Sequence, residues 1–370
     1  MAPGQKPLQN RDDERQAMIP LIDIEPFLHG SQADKARTAR ALDDACREFG
    51  WLVVAGHGVP KSLIQEMHAV SRGFFSRPHW EKMKHKMPAD RYRGYTPPGT
   101  ESLAYSLDEE RPPDLKEAYS MGPVDAAYDE YHYGPAGARY FAPNIWPDRP
   151  KGMPGVWEAY YREMTRLSAD IMRIFAVALD MPEDFFRAKI DEHITNFSAI
   201  YYPSQQDAPL PEQLRGGAHT DYGSLTLVHC DTAVGGLQIQ TESGAWEDVP
   251  WFPDSFSVNL GDLMAEWTND RWRSTMHRIA NPPRDKAHLD RLSLIFFHQP
   301  NYDAEIECLP SCVSADNPAR YGRTTSGDHI TMKLTKQRAP GLEAEATGES
   351  AGRPKAWLYP PKEEAEERAG

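Results

Sequence analysis

The chain has 370 residues, of which 40% are hydrophobic and 26% are charged, and its formal net charge is −14. This balance is ordinary for a globular protein, and it argues against a nucleic-acid partner because such partners are bound through clustered Lys and Arg. No apolar run approaches the roughly 18 residues of a membrane span, and no apolar leader is present, so we expect a cytoplasmic protein with no membrane partner. The four cysteines are too irregularly spaced for a disulfide framework, and we expect free thiols.

Composition divides the chain into four predicted regions. They are a flexible lead-in at residues 1–18, an N-terminal region of helices, strands and pocket loops at residues 19–150, a helix followed by a β-rich core at residues 151–337, and an accessory or flexible tail at residues 338–370.

Regular elements are predicted at both ends of the N-terminal region. Apolar residues recur every three or four positions over residues 31–49 and 61–75, which predicts two helices, and a buried strand is predicted between them at residues 51–55. His57 lies between two glycines, and we expect it to bond to the backbone of a turn. A long helix with an apolar stripe is predicted at residues 155–179.

Residues 91–150 are rich in Pro, Gly and Tyr and show little periodicity. Irregular connections of this length are uncommon unless they are functional. Their aromatic and charged residues at 93–95 and 114–122 either wall a pocket or only pack the surface.

After residue 190 the pattern changes to short extended runs separated by turn residues, which is typical of an all-β sandwich or barrel. A hairpin turn is predicted at residues 268–270. The predicted strands are residues 194–202, 224–230, 237–240, 256–260, 264–268, 274–280 and 292–298.

The run His219-Thr-Asp221 carries the first chemical signal. In an extended strand the imidazole and the carboxylate share one face and could take adjacent positions on a metal ion, with His277 as a third ligand from a distant strand. Two histidines and one carboxylate that leave open positions are the facial set of non-haem Fe(II) oxygen chemistry. Alone, His-x-Asp is a weak signal, because such a pair more often marks two polar residues on a solvated strand face.

Arg291-Leu-Ser293 adds a second signal, because a guanidinium and a hydroxyl on one strand face form a receptor for a carboxylate. A 2-oxo acid could chelate iron at one end and hold its distal carboxylate here. Tyr202, before Pro203, can supply another hydroxyl.

With these motifs the chain resembles the Fe(II)- and 2-oxoglutarate-dependent dioxygenases of the isopenicillin N synthase-like family, and within it the microbial members related to thymine 7-hydroxylase. The resemblance covers about residues 19 to 335. It rests on motifs in order: Ile19-Pro-Leu-Ile-Asp23, Phe49-Gly-Trp-Leu52, Gly56-His-Gly-Val59, Arg93-Gly-Tyr95, Asp114-Leu-Lys-Glu117, Tyr201-Tyr-Pro203, Ala218-His-Thr-Asp-Tyr-Gly-Ser-Leu-Thr226, Gly235-Gly-Leu-Gln238, Asn259-Leu-Gly-Asp262, Trp267-Thr-Asn-Asp270, Ser274-Thr-Met-His-Arg278 and Arg291-Leu-Ser293.

The resemblance implies a mainly β fold with flanking α-helices, whose core is a distorted double-stranded β-helix, or jelly roll. It implies Fe(II) on His219, Asp221 and His277, with 2-oxoglutarate and O2 as cosubstrates. The implied reaction oxidises, most often by hydroxylation, an unactivated C–H bond of a small organic molecule and releases succinate and CO2. Arg291, Ser293 and Tyr202 are the implied 2-oxoglutarate residues.

The substrate itself is not carried over, since Ser198-Ala-Ile200 stands where several relatives have Asn or a basic residue. By matching position, Phe297 and Gln299 should face the pocket, for stacking and for a hydrogen bond, and His298 between them should be structural. Further candidates for the pocket wall are Arg93, Tyr95, Lys116, Tyr119 and Ser198. We expect a small-molecule substrate, and no oligomeric state is predicted.

Other functions remain open at this stage. An oxidase or cyclase of the same fold, or an ethylene-forming relative, would use the iron site without the usual coupling to 2-oxoglutarate. A non-catalytic metal- or ligand-binding sensor would keep the site without turnover. Zinc could also occupy these ligands, because such sites bind late divalent metals more tightly than Fe(II).

Overall fold

The computed structural model describes residues 19–88, 91–103, 112–231 and 235–337. The predicted lead-in at residues 1–18 and the predicted tail at residues 338–370 lie outside these ranges. Short strands dominate the second half of the described chain. The strands are β1 (Leu21–Asp23), β2 (Trp51–Ala55), β3 (Gly94–Thr96), β4 (Glu117–Met121), β5 (Asn196–Tyr202), β6 (Gly216–His219), β7 (Leu225–Cys230), β8 (Leu237–Gln240), β9 (Trp246–Asp248), β10 (Phe256–Leu260), β11 (His277–Ile279), β12 (Arg291–His298), β13 (Glu305–Ile306) and β14 (Thr324–Thr325).

Two sheets form the core. The larger has the order β1-β2-β10-β7-β12-β5-β4-β3, and the smaller has the order β6-β11-β8-β9. Residues of both sheets, among them Val53 and Ile200 of the larger and Ile239 of the smaller, share one apolar cluster between them. The sheets therefore pack face to face, as the predicted double-stranded β-helix requires.

Helices cover the outer face of the large sheet. The longest begins after Gly152 and buries Trp157, Tyr161 and Phe175 along one side, and full burial of such side chains contributes on the order of 1.5–3 kcal/mol each. The helices are α1 (Glu25–His29), α2 (Gln32–Glu48), α3 (Lys61–Phe75), α4 (His79–Lys82), α5 (Glu130–Tyr133), α6 (Met153–Ala178), α7 (Arg187–Ile190), α8 (Asp262–Trp267) and α9 (Ser326–Gln337).

Strand alternation decides which side chains face the space between the sheets. On β12, Leu294 and Phe296 join the core on the helix side, whereas Ile295 packs into the core between the sheets. Because successive side chains point to opposite faces, Arg291 and Phe297 share the interior face with Ile295. The candidate residues on this strand thus point into the β-helix.

One predicted strand is wrong. Residues 264–268 were expected to be extended, but α8 runs through them, beginning at Asp262 after Gly261. Leu263, Met264 and Trp267 are buried, and this spacing of one and four residues follows the period of a helix rather than that of a strand. The turn at 268–270 is present, with positive φ at Asn269 and Asp270, but it ends a helix and does not join two strands.

The other predicted elements agree closely with the structure. The helix predicted at residues 31–49 is α2, which Ser31 begins with a capping box that includes Asp34. The predicted run at 274–280 contracts to β11. Among the described residues, no helix combines the length and the apolar character needed to cross a membrane.

Candidate active site

His219, Asp221 and His277 converge between the sheets. His219 is the last residue of β6, His277 is the first residue of β11, and the two lie directly opposite each other in the ladder. Asp221 follows β6 and lies outside the strand, so the single extended strand expected for both residues extends only to His219. One ligand atom from each of the three lies within 4.8 Å of the others.

Both imidazoles are oriented by the backbone two residues before them. Nδ1 of His219 lies 2.8 Å from the carbonyl oxygen of Gly217, and Nδ1 of His277 lies 3.0 Å from that of Thr275. In a neutral ring, an Nδ1–H that donates to a carbonyl leaves the lone pair of Nε2 for a ligand. The two Nε2 atoms lie 3.8 Å and 3.9 Å from the carboxylate oxygens of Asp221.

The carboxylate of Asp221 is buried and held by neighbours on the interior face. Asn259 of β10 donates from Nδ2 to Oδ2 at 2.7 Å, and the Thr226 side chain also bonds to it. Burial raises the pKa of Asp221, but His277, His219 and these bonds outweigh it and lower the pKa. Trp51 packs its ring edge against His277, with centroids 5.1 Å apart.

Burial keeps His219 uncharged. The loss of solvent, with the neighbouring His277, lowers the pKa of His219 to about 3. A neutral imidazole is the form that binds a metal. Two enclosed imidazoles and one ionised carboxylate present the donor set that suits Fe(II) and leaves positions for cosubstrates.

A cationic region lies beside this cluster. Arg291 of β12 stands opposite Tyr202 of β5 in the ladder, and both are buried. The guanidinium donates from Nε to Oγ of Ser293 at 3.2 Å and from Nη1 to the carbonyl oxygen of Gly235 at 3.0 Å. Burial raises the pKa of the Tyr202 phenol, so this group stays protonated as a hydrogen-bond donor.

Lys116 lies at the same end of the interior. Its ammonium is 3.5 Å from Asp114 and 3.6 Å from Glu101, and these carboxylates raise its pKa against the effect of burial. Asp114 in turn accepts from the backbone N–H of Gly217 at 3.0 Å. Since the carbonyl of Gly217 orients His219, this acidic residue supports the strand that carries the first histidine.

Phe297 and Ser198 lie on the interior faces of β12 and β5, and Gln299 follows the end of β12. Phe297 pairs with Thr226 in the ladder, which places its side chain on the face where Thr226 bonds to Asp221. Gln299 is 5% exposed, and its Oε1 has no hydrogen-bond partner among the described residues. The hydroxyl of Ser198 lies 2.8 Å from that of Ser120 on β4.

Comparison with known proteins agrees with this geometry. Residues 19–149 match the family of the N-terminal region of the non-haem dioxygenase in morphine synthesis, and residues 194–300 match the 2OG-Fe(II) oxygenase superfamily. A homoarginine-6-hydroxylase of Oryza sativa subsp. japonica is 34% identical over 332 residues, which cover 85% of this chain and 96% of that protein. The chain belongs to the 2OG-Fe(II) oxygenase superfamily.

Two further similarities extend over most of the oxygenase. The validamycin A dioxygenase of Streptomyces hygroscopicus subsp. limoneus is 31% identical, with 88% of this chain and 89% of that protein covered. The crystal structure of a full-length Neurospora crassa protein with alpha-KG and thymine has a TM-score of 0.77 at 28% identity, and covers 87% of this chain and 98% of that chain. The chain is therefore an Fe(II)- and 2-oxoglutarate-dependent oxygenase that acts on small molecules.

The predicted location of Tyr95 and Tyr119 in the pocket wall is wrong. Tyr95 and Tyr119 are fully buried in the core on the helix side, where the Tyr119 ring packs against Phe74 and Trp157. The hydroxyl of Tyr95 donates to Glu117. The register of β3 and β4 puts both residues on the face opposite the space between the two sheets.

Arg93, His57 and His298 bond to other parts of the chain. The guanidinium of Arg93 is buried and donates to the carbonyl oxygens of Tyr92 and Tyr140, and its role with substrate stays a prediction. His57 bonds to the carbonyl of Asp254 and accepts from the N–H of Val59, as expected for a turn histidine. His298 is buried and its Nδ1 lies 2.7 Å from Oγ of Ser224, and its structural role stays a prediction.

Sequence reasoning assigned no role to the side chains that support Asp221 in the oxygenase. Asn259 begins the motif Asn259-Leu-Gly-Asp262 and lies on β10. It alternates there with the apolar Val258 and Leu260, so its side chain faces the interior. Thr226 alternates in the same way with Leu225 and Leu227. A polar residue between apolar neighbours on a central strand was the available signal.

Proposed function

We propose that His219, Asp221 and His277 hold the Fe(II) of this oxygenase and that Arg291, Ser293 and Tyr202 bind the distal carboxylate of 2-oxoglutarate. The observation that carries the proposal is the convergence of two Nε2 atoms and one carboxylate within 4.8 Å, with both Nδ1 atoms taken by backbone carbonyls. A buried, ionised carboxylate such as that of Asp221 is stabilised by a bound cation.

When bound, iron with 2-oxoglutarate and O2 supplies the oxidising power, and the chain supplies binding, orientation and a dry cavity. Asn259 and Thr226 keep the Asp221 carboxylate in one orientation. Arg291 offers a charge-assisted bond to the distal carboxylate, and the protonated phenol of Tyr202 can add a second donor. Lys116 adds positive charge at this end of the cavity, close to Tyr202.

The pocket residues support a small polar substrate with a donor group. Oε1 of Gln299 has no hydrogen-bond partner in the described chain, so a bound N–H or O–H would satisfy a buried acceptor. Phe297 adds an aromatic surface on the same interior face. The relatives named for homoarginine and validamycin A, and the structure that holds thymine, concern small molecules rich in such donors.

The function is tested with a panel of small molecules that carry hydrogen-bond donors: basic amino acids, aminocyclitols and pyrimidine bases. The enzyme is loaded anaerobically with Fe(II) and 2-oxoglutarate, exposed to O2, and scored for substrate-dependent succinate and an oxygenated product. We expect a member of the panel to raise succinate release, and His219→Ala to abolish the rise. Equal succinate release by His219→Ala would refute the iron site, and product formation without succinate would show an oxidase.

A further inference from the structure

Asp262 joins the two chain segments that carry the three candidate iron ligands. It is the first residue of α8, and its backbone N–H donates to the carbonyl oxygen of Asp221 at 2.8 Å. Its Oδ2 accepts from the hydroxyl of Thr220 at 3.2 Å. Thr220 lies between His219 and Asp221, so one side chain and one backbone bond fix the first segment to α8.

The other carboxylate oxygen of Asp262 reaches the segment of the third ligand. Oδ1 accepts from the hydroxyl of Ser274 at 2.6 Å. Ser274 immediately precedes Thr275, whose carbonyl orients the imidazole of His277. A single carboxylate therefore spans the gap between the two ligand-bearing segments, although it contacts no ligand side chain itself.

This carboxylate is also bonded to the last helix of the described chain. Nζ of Lys333 on α9 donates to Oδ2 of Asp262 at 2.5 Å, and both side chains are partly buried. The same ammonium lies 5.9 Å from the centre of the Tyr222 ring, next to Asp221. The positive charge offsets the cost of enclosing Asp262, which leaves its oxygens in place for Thr220 and Ser274.

We propose that Asp262 is a positioning residue for the iron site, which sets the spacing between the His219–Asp221 segment and the His277 segment, and that Lys333 anchors it to α9. The inference rests on the proposed function, since it needs those three residues to be the ligands. The ladder of β6 and β11 pairs His219 with His277, but Asp221 and Ser274 both lie outside it. Side-chain bonds are therefore needed to hold what the sheet does not.

The test removes the two hydroxyl donors without altering charge. Thr220→Val and Ser274→Ala each delete one bond to Asp262, and Thr220→Ser restores the hydroxyl. Thr241→Val is the matched control, because the Thr241 hydroxyl bonds within an exposed turn between β8 and β9. Co(II) serves as the probe metal, measured by its dissociation constant and its visible absorption spectrum, with the melting temperature of each metal-free protein recorded in parallel.

We expect Thr220→Val and Ser274→Ala to weaken Co(II) binding about 3- to 10-fold and to shift the absorption spectrum. This loss is smaller than the loss expected when a residue bonded directly to a metal ligand is removed. Thr220→Ser should restore both values, and Thr241→Val should match the unaltered enzyme. Affinities and spectra unchanged in both variants would overturn the inference. His219→Ala separates the two claims: if it binds Co(II) normally, the proposed ligands are wrong, whatever Asp262 does.

Discussion

Nδ2 of Asn259 donates a hydrogen bond of 2.7 Å to Oδ2 of Asp221, and both residues are buried. The bond fixes one oxygen of the carboxylate in the candidate iron site. A carboxylate whose rotation is restricted presents its second oxygen in one direction, towards Nε2 of His219 at 3.8 Å. The supporting amide is thus part of what makes the cluster a site for a metal.

Asn259→Ala is expected to weaken Fe(II) binding by roughly 10- to 100-fold, as loss of outer partners of metal ligands does. The 2-oxoglutarate requirement at saturating iron should change much less. Equilibrium dialysis with Fe(II) under anaerobic conditions measures the change. Asn317→Ala is the control, because Asn317 donates a similar bond to the carbonyl of Cys312 away from the site; equal affinities in both variants would show that Asn259 serves packing alone.

Arg291→Ala is expected to raise the KM for 2-oxoglutarate about 10- to 100-fold, because a hydrogen bond to a charged group contributes about 1.5–3 kcal/mol. Arg291→Lys should recover only part of the loss, since an ammonium lacks the paired donors of a guanidinium. Steady-state kinetics against 2-oxoglutarate give the values. Arg320→Ala removes an exposed ion pair with Asp270 and is the control. An unchanged KM in Arg291→Ala would place the cosubstrate elsewhere.

Gln299→Leu is expected to raise the KM for the organic substrate about 3- to 10-fold, which corresponds to one neutral hydrogen bond of about 0.5–1.5 kcal/mol. The KM for 2-oxoglutarate should stay constant, since Gln299 is assigned to the substrate only. Both constants come from the same succinate assay. Gln240→Leu is the control, because Gln240 is the last residue of β8 and its side chain donates to the carbonyl oxygen of Gly244 in an exposed turn. A rise in the KM for 2-oxoglutarate alone would contradict the assignment of Gln299 to the substrate.

The paired histidines His68 and His229 predict a dependence of stability on pH. Nε2 of His68 lies 2.8 Å from Nδ1 of His229, and burial lowers the pKa of each to about 3. Arg72 lowers the pKa of His68 further. Because His68 is uncharged, its 3.8 Å approach to Asp231 is not an ion pair.

The folded state therefore holds fewer protons at this pair than the unfolded chain, whose histidines titrate near 6.5. Stability is full above that value and is lost as the pH falls from about 6.5 towards the folded pKa values. Between about pH 6.5 and about pH 4.5, the melting temperature of the double variant His68→Leu/His229→Leu should fall less than that of the unaltered protein. Parallel curves for the two proteins would exclude the pair as the cause.

The sequence was sufficient to predict the residues whose role depends on chemistry and spacing. His219, Asp221 and His277 were selected because their side chains match a metal donor set, and the structure brings them together. Arg291 and Ser293 were selected because they share one strand face, and their side chains are hydrogen-bonded. The pairs at 219/221 and 291/293 need only local geometry, which a short stretch of sequence encodes, whereas His277 was added from a distant strand by its chemistry.

Features that depend on register could not be predicted in the same way. Tyr95 and Tyr119 were placed in the pocket, but β3 and β4 pair so that both rings face the helix layer. A shift of one residue in register reverses the face, and nothing in either segment fixes it before the partner strand is known. The contacts of Asp262 with Thr220, Ser274 and Lys333 likewise join residues far apart in the chain.

The most direct test of the iron site is an anaerobic crystal structure of the enzyme with Mn(II), in place of Fe(II), and 2-oxoglutarate. We expect one anomalous peak at roughly 2.0–2.2 Å from Nε2 of His219, Nε2 of His277 and a carboxylate oxygen of Asp221, close to the distances such ligands keep to divalent metals. The distal carboxylate of 2-oxoglutarate should lie against Arg291 and Ser293. A peak away from these three side chains, or none at saturating metal, would contradict the assignment.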